Sequence, residues 1–353
     1  MPDFAASLIR WQKANGRHDL PWQGGRDPYA IWLSEIMLQQ TQVSSVIPYY
    51  QRFLASFPDI AALAAASQEE VLAHWSGLGY YSRARNLHRA AQWVVKRHDG
   101  IFPAEFEQIL ALPGVGRSTA AAISAFAFGR RHAILDGNVK RVLARYFAVE
   151  GHPGAKGVEA RLWQHAEALL PRQGIEAYTQ GLMDLGATVC TRTRPRCGDC
   201  PVGVGCLARH LGRQNELPGP RPRKVLPERE TIMLLFLHKG GIYLEKRPPT
   251  GIWGGMWSFP EIAPADDPQQ ASLARFGFET RLLEPLPAMQ HAFTHFRLRI
   301  RPQCLEVQGV QPQARQADGV WLGLEEALGA AIPVPVRQLL LQCGKGDAKK
   351  PAG

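Results

Sequence analysis

Tyr29-Ala30-Ile31-Trp32-Leu33-Ser34-Glu35-Ile36-Met37-Leu38-Gln39-Gln40-Thr41-Gln42 is the stretch on which the reading of this chain turns. It reads as a helix with an apolar body and a polar tail. Asp27 is placed to cap its first turn, and Pro28 suits the first helical position, where a missing N–H costs nothing. From 29 to 38 only Ser34 and Glu35 interrupt the apolar run, so Glu35 is a carboxyl with little polar company. Burial disfavours the charged form, so such a carboxyl keeps its proton to higher pH than a free one. A general acid working near neutrality needs that property. A half-exposed glutamate beside a core has the same local pattern, and the tail separates the two readings. The amides and hydroxyl of Gln39, Gln40, Thr41 and Gln42 suit hydrogen bonds to bases better than a salt-bridged surface.

The rest of the chain bounds what that acid serves. At 353 residues two or three domains are expected. Hydrophobic residues make up 45%, and no uninterrupted apolar run reaches bilayer-spanning length, which predicts a soluble protein with no membrane partner. Met1 to Arg17 reads as an amphipathic helix carrying Asp3, without a secretory apolar core, so a cytoplasmic location is expected, with nucleoid association in a bacterium. The net charge of +10 favours a polyanionic partner, nucleic acid before membrane, because the basic residues are scattered along the chain. The densest basic stretch lies between Cys190 and Lys224, with eight Arg or Lys against two acids.

Residues 1 to about 211 read as helices joined by short turns. Asp59–Ala66 and Gln68–Trp75 are short, the second capped by Ser67. They lead into Gly77-Leu78-Gly79-Tyr80-Tyr81, a glycine-rich bend that opens a helix running to His98. The bend lets backbone approach a ligand closely, and the tyrosines are placed either to stack on it or to pack in the core. Glu105–Ala111 and Arg117–Phe128 flank Leu112-Pro113-Gly114-Val115-Gly116, giving a helix, a hairpin and a helix. The free N–H groups of the second helix then face outward, with Gly114 and Gly116 leaving no side chain in the way. Such a turn grips a phosphate through backbone dipoles without reading sequence.

Ala133-Ile134-Leu135 delivers Asp136 to the mouth of a helix continuing to Val149. Asn138 is the expected cap, leaving Asp136 outside the helix near its positive end, where an ionised carboxylate is favoured. Glu35 and Asp136 then form a pair, one neutral and one charged. Glycosidic cleavage uses that split, an acid for the leaving group and an anion for the oxocarbenium-like sugar. The cysteines at 190, 197, 200 and 206 follow Cys-x6-Cys-x2-Cys-x5-Cys, while Cys304 and Cys343 stand apart. In a cytosolic protein a tight group means metal or redox chemistry before disulfides. Structural zinc usually shows two Cys-x2-Cys knuckles and only one is present, so the spacing suits a [4Fe–4S] cluster at least as well as zinc. Arg192, Arg194, Arg196 and Arg209 border the loop and suit phosphate contact.

These motifs together resemble the MutY adenine DNA glycosylases of the helix-hairpin-helix superfamily, which includes endonuclease III. The resemblance runs from residue 5 to 211 and implies an all-α helix-hairpin-helix glycosylase core with one [4Fe–4S] loop on Cys190, Cys197, Cys200 and Cys206. It implies a six-helix barrel over 28–132 and a cluster domain of 1–27 plus 133–211, with DNA between them. Glu35 would protonate the adenine leaving group and then handle water, Asp136 would stabilise the sugar cation, and Asn138 would support Asp136. Gln39 and Tyr80 would fill the space left by the flipped nucleotide. Gln40, Thr41, Gly79, Gly114, Val115, Gly116, Arg117, Ser118 and Lys140 would complete the DNA contact. At position 118 the bifunctional relatives have a lysine that forms a Schiff base, which serine cannot do, so the chain resembles a monofunctional glycosylase.

Residues 212–229 are rich in proline and basic residues and are expected to form an extended tether. From Glu230 the pattern is β. Thr231–Leu237 and Ile242–Lys246 flank a His-Lys-Gly-Gly hairpin signal, and Phe296, Leu298 and Ile300 alternate with Arg297, Arg299 and Arg301. This half, 230–343, resembles the α+β MutT-like (Nudix) domain of MutY proteins, with a disordered tail expected over 344–353. After Gly251 it lacks the glutamates that bind metal in working Nudix enzymes, which argues for recognition and against hydrolysis of a pyrophosphate. Phe293, Thr294 and His295 match the segment that contacts 8-oxoguanine in MutY relatives, with threonine in place of serine. The expected partner is duplex DNA carrying an adenine:8-oxoguanine or adenine:guanine mismatch, bound by a monomer. The alternatives are a bifunctional glycosylase/lyase for damaged pyrimidines, a non-catalytic iron–sulfur DNA-binding protein and a Nudix hydrolase.

Overall fold

A computed structural model describes residues 3–222, 225–311 and 319–347, the last four as backbone only. By backbone contacts the chain divides into two compact units, residues 1–65 with 86–223 and residues 66–85 with 224–353. The segment 66–85, expected within the helical barrel, therefore groups with the C-terminal half.

The helices in chain order are α1 (Phe4–Asn15), α2 (Pro28–Leu38), α3 (Val43–Ser56), α4 (Ile60–Ala65), α5 (Gln68–Trp75), α6 (Ser82–His98) and α7 (Phe106–Leu110). They continue with α8 (Arg117–Phe128), α9 (Gly137–Tyr146), α10 (Lys156–Ala168), α11 (Ile175–Asp184) and α12 (Leu207–His210). Apart from α5 and the first turn of α6, these build the first unit. Asp27 caps α2 as expected, accepting the Tyr29 N–H at 3.0 Å, with Pro28 behind it. Around α2, Tyr29, Ile31, Trp32, Leu33, Ile36 and Met37 are all buried, so this helix is enclosed on nearly every face. Each such side chain contributes about 1.5–3 kcal/mol on leaving water. A second core gathers Leu8 of α1, Val139 and Leu143 of α9, Leu162 of α10 and Tyr178 and Leu182 of α11.

Two expectations fail in this unit. Asp136, not Asn138, is the N-cap of α9, its Oδ1 accepting the Val139 N–H at 2.7 Å. The extended approach through Leu135 brings the carboxylate to the free N–H groups ahead of the Asn138 amide. The tether is also not extended over its first half. Leu217 is buried and its carbonyl accepts from Arg145 Nε at 2.8 Å, the Gly219 N–H donates to the Gly151 carbonyl, and Arg213 pairs with Glu150 and Glu216. One apolar residue and a buried arginine outweigh the extended preference of the prolines.

In the second unit the strands are β1 (Glu228–His238), β2 (Gly241–Lys246), β3 (Trp257–Ser258), β4 (Glu261–Ile262), β5 (Phe278–Leu282), β6 (Met289–Ala292), β7 (Arg297–Val310) and β8 (Gly319–Leu322). The helices here are α13 (Pro268–Phe276), α14 (Leu324–Gly329) and α15 (Val334–Asp347), together with α5. One mixed sheet has the order β3-β2-β1-β7-β5, with β4 on β1, β6 on β7 and β8 on β2. The β1–β2 hairpin turns at Lys239-Gly240, both with positive φ, which matches the right-handed twist of the strands. β1 and β7 run parallel, and Glu228 and Glu230 lie opposite Arg297 and Arg299 on the charged face. Phe236, Tyr243, Phe276 and Phe278 fill the apolar side. The helix α15 continues to Asp347, so the tail starts later than Gly344, and residues 348–353 lie outside the described residues. Among the described residues no helix is long and apolar enough to cross a membrane.

Candidate active site

Ile31, Ser34, Glu35 and Leu38 recur at three- and four-residue steps, so they share one face of α2. That face lines a pocket of about 560 Å³. The other walls are Gln12 and Lys13 of α1, the loop Arg17–Arg26 with Trp22 and Gln23, Phe126 of α8, and Glu176, Gln180 and Met183 of α11. Trp22 is held by an edge contact to Tyr50 with ring centroids 5.3 Å apart. Arg17 is anchored from behind, its Nε donating to Asp184 Oδ1 at 2.7 Å. Glu35 is legible in the sequence and this wall is not. Arg17 and Asp184 meet only through the fold, and the sole local signal is the Trp22-Gln23-Gly24-Gly25 loop just before α2.

Burial pushes the Glu35 carboxyl up to about 8, and the nearby charge of Asp136 adds to the rise. Asp136 does not simply sit in its ordinary charged range, as expected for a helix mouth. Burial pushes it up too, against the pull of the Val139 and Asn138 N–H groups and of Arg141 and Lys140. Asp136 thus has four influences favouring its anion and Glu35 has none, so their mutual repulsion falls on Glu35. Asn138 lies in the first turn of α9, where its Oδ1 accepts from Arg141 Nη2 at 2.8 Å. Arg141 also donates to the carbonyls of Gly186 and Cys190. The Leu185–Val189 turn crosses α9 so closely that a Cβ on Gly186 would lie 2.6 Å from the Asn138 Cβ.

At the hairpin, Gly114 has φ +80°, and a Cβ there would meet Asn86 Cβ at 2.7 Å. Val115 is buried and its N–H bonds to the Leu112 carbonyl. The first helical bond of α8 runs from Ala120 to Gly116, so the N–H groups of Arg117, Ser118 and Thr119 have no helical partner. Arg117 lies on the surface, ion-paired with Glu167 and stacked 3.9 Å over the Trp163 ring. Ser118 Oγ accepts the Leu135 N–H at 2.9 Å, and Lys140 Nζ pairs with Glu159 at 2.6 Å. Past the end of α2, Gln39 Nε2 donates to Thr119 Oγ1 at 3.3 Å, Gln40 takes a positive φ, and Thr41 Oγ1 donates to the Gln39 carbonyl.

Cys190, Cys197, Cys200 and Cys206 line one cavity and are all free thiols. Arg145 Nη1 donates to Cys190 Sγ at 3.3 Å, while burial pushes the Cys200 thiol up to about 11, with the other three adding to the rise. Four thiols lining one cavity, with a guanidinium against one sulfur, match an iron–sulfur cluster in donor chemistry, although among the described residues no three of them stand close enough to form a preformed metal site.

Two further groups lie in the second unit. Gly79 and Tyr80 have positive φ, and the Gly79 carbonyl accepts from both Trp75 Nε1 and Arg83 Nη2 at 3.1 Å. Tyr80 is 44% exposed with the Arg83 guanidinium against its ring. Phe293 stacks on Phe296 and tilts against Trp253, while Thr294 and His295 beside it are exposed.

Two family models match the chain: a HhH-GPD superfamily base excision DNA repair protein over residues 33–168, and a NUDIX domain over residues 231–342. The chain is similar to the adenine DNA glycosylase of Buchnera aphidicola subsp. Acyrthosiphon pisum, 35% identical over 338 residues that cover 96% of each chain. It is 34% identical to the human adenine DNA glycosylase, over 95% of this chain and 73% of that one. Among solved structures, a thermostable thymine-DNA glycosylase aligns with 59% of this chain and 95% of its own at 30% identity and a TM-score of 0.54. The helical core, the appended mixed sheet and an identity of 34–35% to these relatives over at least 95% of this chain converge: the chain belongs to the adenine DNA glycosylase family.

Proposed function

We propose that this chain excises adenine mispaired with 8-oxoguanine or guanine in duplex DNA, leaving an intact abasic strand. The observation that carries the reading is Glu35, a carboxyl protonated to about 8 that lines a pocket roomy enough for a purine, within electrostatic reach of Asp136. A mismatched adenine is extruded at a cost of a few kcal/mol, less than a well-paired base requires. It enters the pocket between Trp22, Phe126 and the Glu35 face of α2. Glu35 gives its proton to a ring nitrogen of the base, so the glycosidic electron pair leaves with neutral adenine. Asp136, as the anion, stabilises the oxocarbenium-like sugar, and Asn138 holds the helix mouth around it. Glu35, now ionised, takes a proton from the water that adds to the sugar, which returns the acid to its starting form. Such general acid help contributes roughly a hundred- to ten-thousand-fold.

The unpartnered N–H groups after Gly116 suit a phosphate of the DNA strand, with Gly114 shaping the turn. Gln39, Gln40 and Thr41 serve the space around the extruded nucleotide, and Gly79 and Tyr80 are a DNA contact of the second unit. Two features support base release without strand cleavage. Ser118 has no amine, and the Lys140 ammonium is neutralised by Glu159. Phe293, Thr294 and His295 serve recognition of the opposing 8-oxoguanine, on a Nudix-like sheet that lacks the metal-binding glutamates. The four cysteines would hold one [4Fe–4S] cluster, which when bound cross-links the loop through its iron–thiolate bonds. The site of action is the cytoplasm, on nucleoid DNA in a bacterium.

The test is incubation with duplexes that differ only in the base opposite adenine, scoring base release and strand cleavage separately. Free adenine and an alkali-sensitive, otherwise intact strand are expected, with Glu35→Gln inactive yet still binding DNA. Strand cleavage as fast as base release, or full activity in Glu35→Gln, overturns the reading.

A further inference from the structure

Asp184, the last residue of α11, is almost fully enclosed, its side chain 1% exposed. It is not part of the pocket wall, yet it ties together two residues that are. Its Oδ1 accepts from Arg17 Nε at 2.7 Å and from Gln180 Nε2 at 2.9 Å, and its Oδ2 accepts the Arg17 backbone N–H at 3.0 Å. Gln180 stands one helical turn earlier on α11 and lines the pocket with Glu35.

We infer that Asp184 is a positioning residue that fixes which end of the Gln180 amide faces the base pocket, and so makes the pocket read an exocyclic amine. An amide has a donor end and an acceptor end of nearly equal size, and packing alone does not choose between them. A carboxylate accepts hydrogen bonds and donates none. With both oxygens engaged by Arg17 and Gln180, Asp184 holds the NH2 end of Gln180 and turns its carbonyl toward the pocket. The second N–H of the same nitrogen stays available there. A purine edge with a 6-amino donor beside the N7 acceptor satisfies both groups of a glutamine amide. A 6-carbonyl sets oxygen against oxygen. The pocket therefore prefers 6-aminopurines and disfavours 6-oxopurines such as hypoxanthine and guanine. Through Arg17, which spans from the pocket loop to the same carboxylate, the orientation is tied to the loop carrying Trp22.

This inference rests on the base-excision reading above, and the experiment separates the two. Single-turnover base release is measured for duplexes with adenine, unsubstituted purine or hypoxanthine at the target position, each divided by that nucleoside's rate of uncatalysed loss. The native protein is expected to follow adenine, then purine, then hypoxanthine, with adenine over hypoxanthine by roughly five- to hundredfold, the range of one bidentate contact. Asp184→Asn offers Gln180 an NH2 group, which lets the amide turn over, and the adenine-to-hypoxanthine ratio is expected to fall at least severalfold. In Gln180→Glu combined with Asp184→Asn, the carboxylate introduced at position 180 accepts from the amide introduced at position 184 and from the base amine, and the ratio is expected to return. A merely structural Asp184 would lower both rates together and leave the ratio unchanged, which overturns the inference. If Asp184→Asn does not fold, the native series still decides, because hypoxanthine released as fast as purine or faster overturns it. A native protein that releases none of the three bases overturns the base-excision reading itself, and that result appears before any variant is made.

Discussion

Arg141 donates to the side-chain oxygen of Asn138 at 2.8 Å and, with the same guanidinium, to the Cys190 carbonyl at 2.8 Å. One side chain thus joins the first turn of α9, where Asp136 sits, to the start of the cysteine loop. Arg141 also pulls the Asp136 carboxyl toward its anion.

Replacing Arg141 by leucine removes both effects. Asp136 then needs a higher pH to ionise, so the acid limb of the pH–rate profile for base release is expected to move upward. The rate near neutrality falls, while Arg141→Lys, which keeps a charge without the fork of donors, falls between the two. Single-turnover rates across pH check this. A uniform drop with an unmoved acid limb would mean that Arg141 acts only on the fold.

Glu35 sets the other limb. In the free protein it keeps its proton to about 8, so kcat/KM is expected to fall about tenfold per pH unit above that value. The same group makes stability depend on pH. Between the ordinary glutamate value of 4.5 and about 8 the folded chain holds a proton that the unfolded chain has released. Raising the pH through that window therefore favours unfolding, and beyond it the loss is complete. Glu35→Gln is expected to gain stability relative to the native protein between about pH 5 and pH 9, read by urea denaturation at each pH. An unchanged difference would mean that Glu35 titrates normally.

Gly114 and Gly116 separate fold from binding. Gly114→Ala is strained by its φ of +80° and by Asn86, and a loss of about 1–2 kcal/mol or more is expected. A Cβ at Gly116 meets nothing within 4 Å, and its φ of −93° suits any residue. Gly116→Ala is therefore expected to melt like the native protein within about 0.5 kcal/mol but to bind duplex DNA more weakly. Thermal melting beside DNA affinity at fixed salt distinguishes them, and equal loss of affinity with no loss of stability in both would refute the assignment.

Local elements are legible in the sequence where the signal is itself local. The Asp27-Pro28 start of α2 and the Lys239-Gly240 hairpin both follow from residues next to one another in the chain. The cap of α9 is misread from sequence because Asp136 and Asn138 are both good caps, and only the direction of approach from Leu135 chooses between them. The pocket wall is illegible because Arg17, Gln180 and Asp184 meet by tertiary packing of α11 against the segment after α1. Leu217 reads as tether because nothing in a proline-rich stretch announces a buried arginine waiting for its carbonyl.

That arginine carries the last prediction. Arg145 is 3% exposed and serves the Leu217, Thr191 and Arg192 carbonyls as well as the sulfur and carbonyl of Cys190. Arg145→Met keeps most of the volume and removes every donor. The Leu217, Thr191 and Arg192 carbonyls then lose this donor, and for the buried Leu217, where water cannot reach, the loss costs about 1–3 kcal/mol. The loop from Cys190 to Leu217 is expected to loosen as one piece, so the iron and sulfide of the proposed cluster should fall along with the melting temperature. Arg209→Met, which lines the same cavity, leaves those carbonyls paired and is expected to retain iron. Equal iron loss in both variants would show that charge near the sulfurs matters and that the backbone contacts do not, and the assignment of Arg145 as the clamp of the loop would then fail.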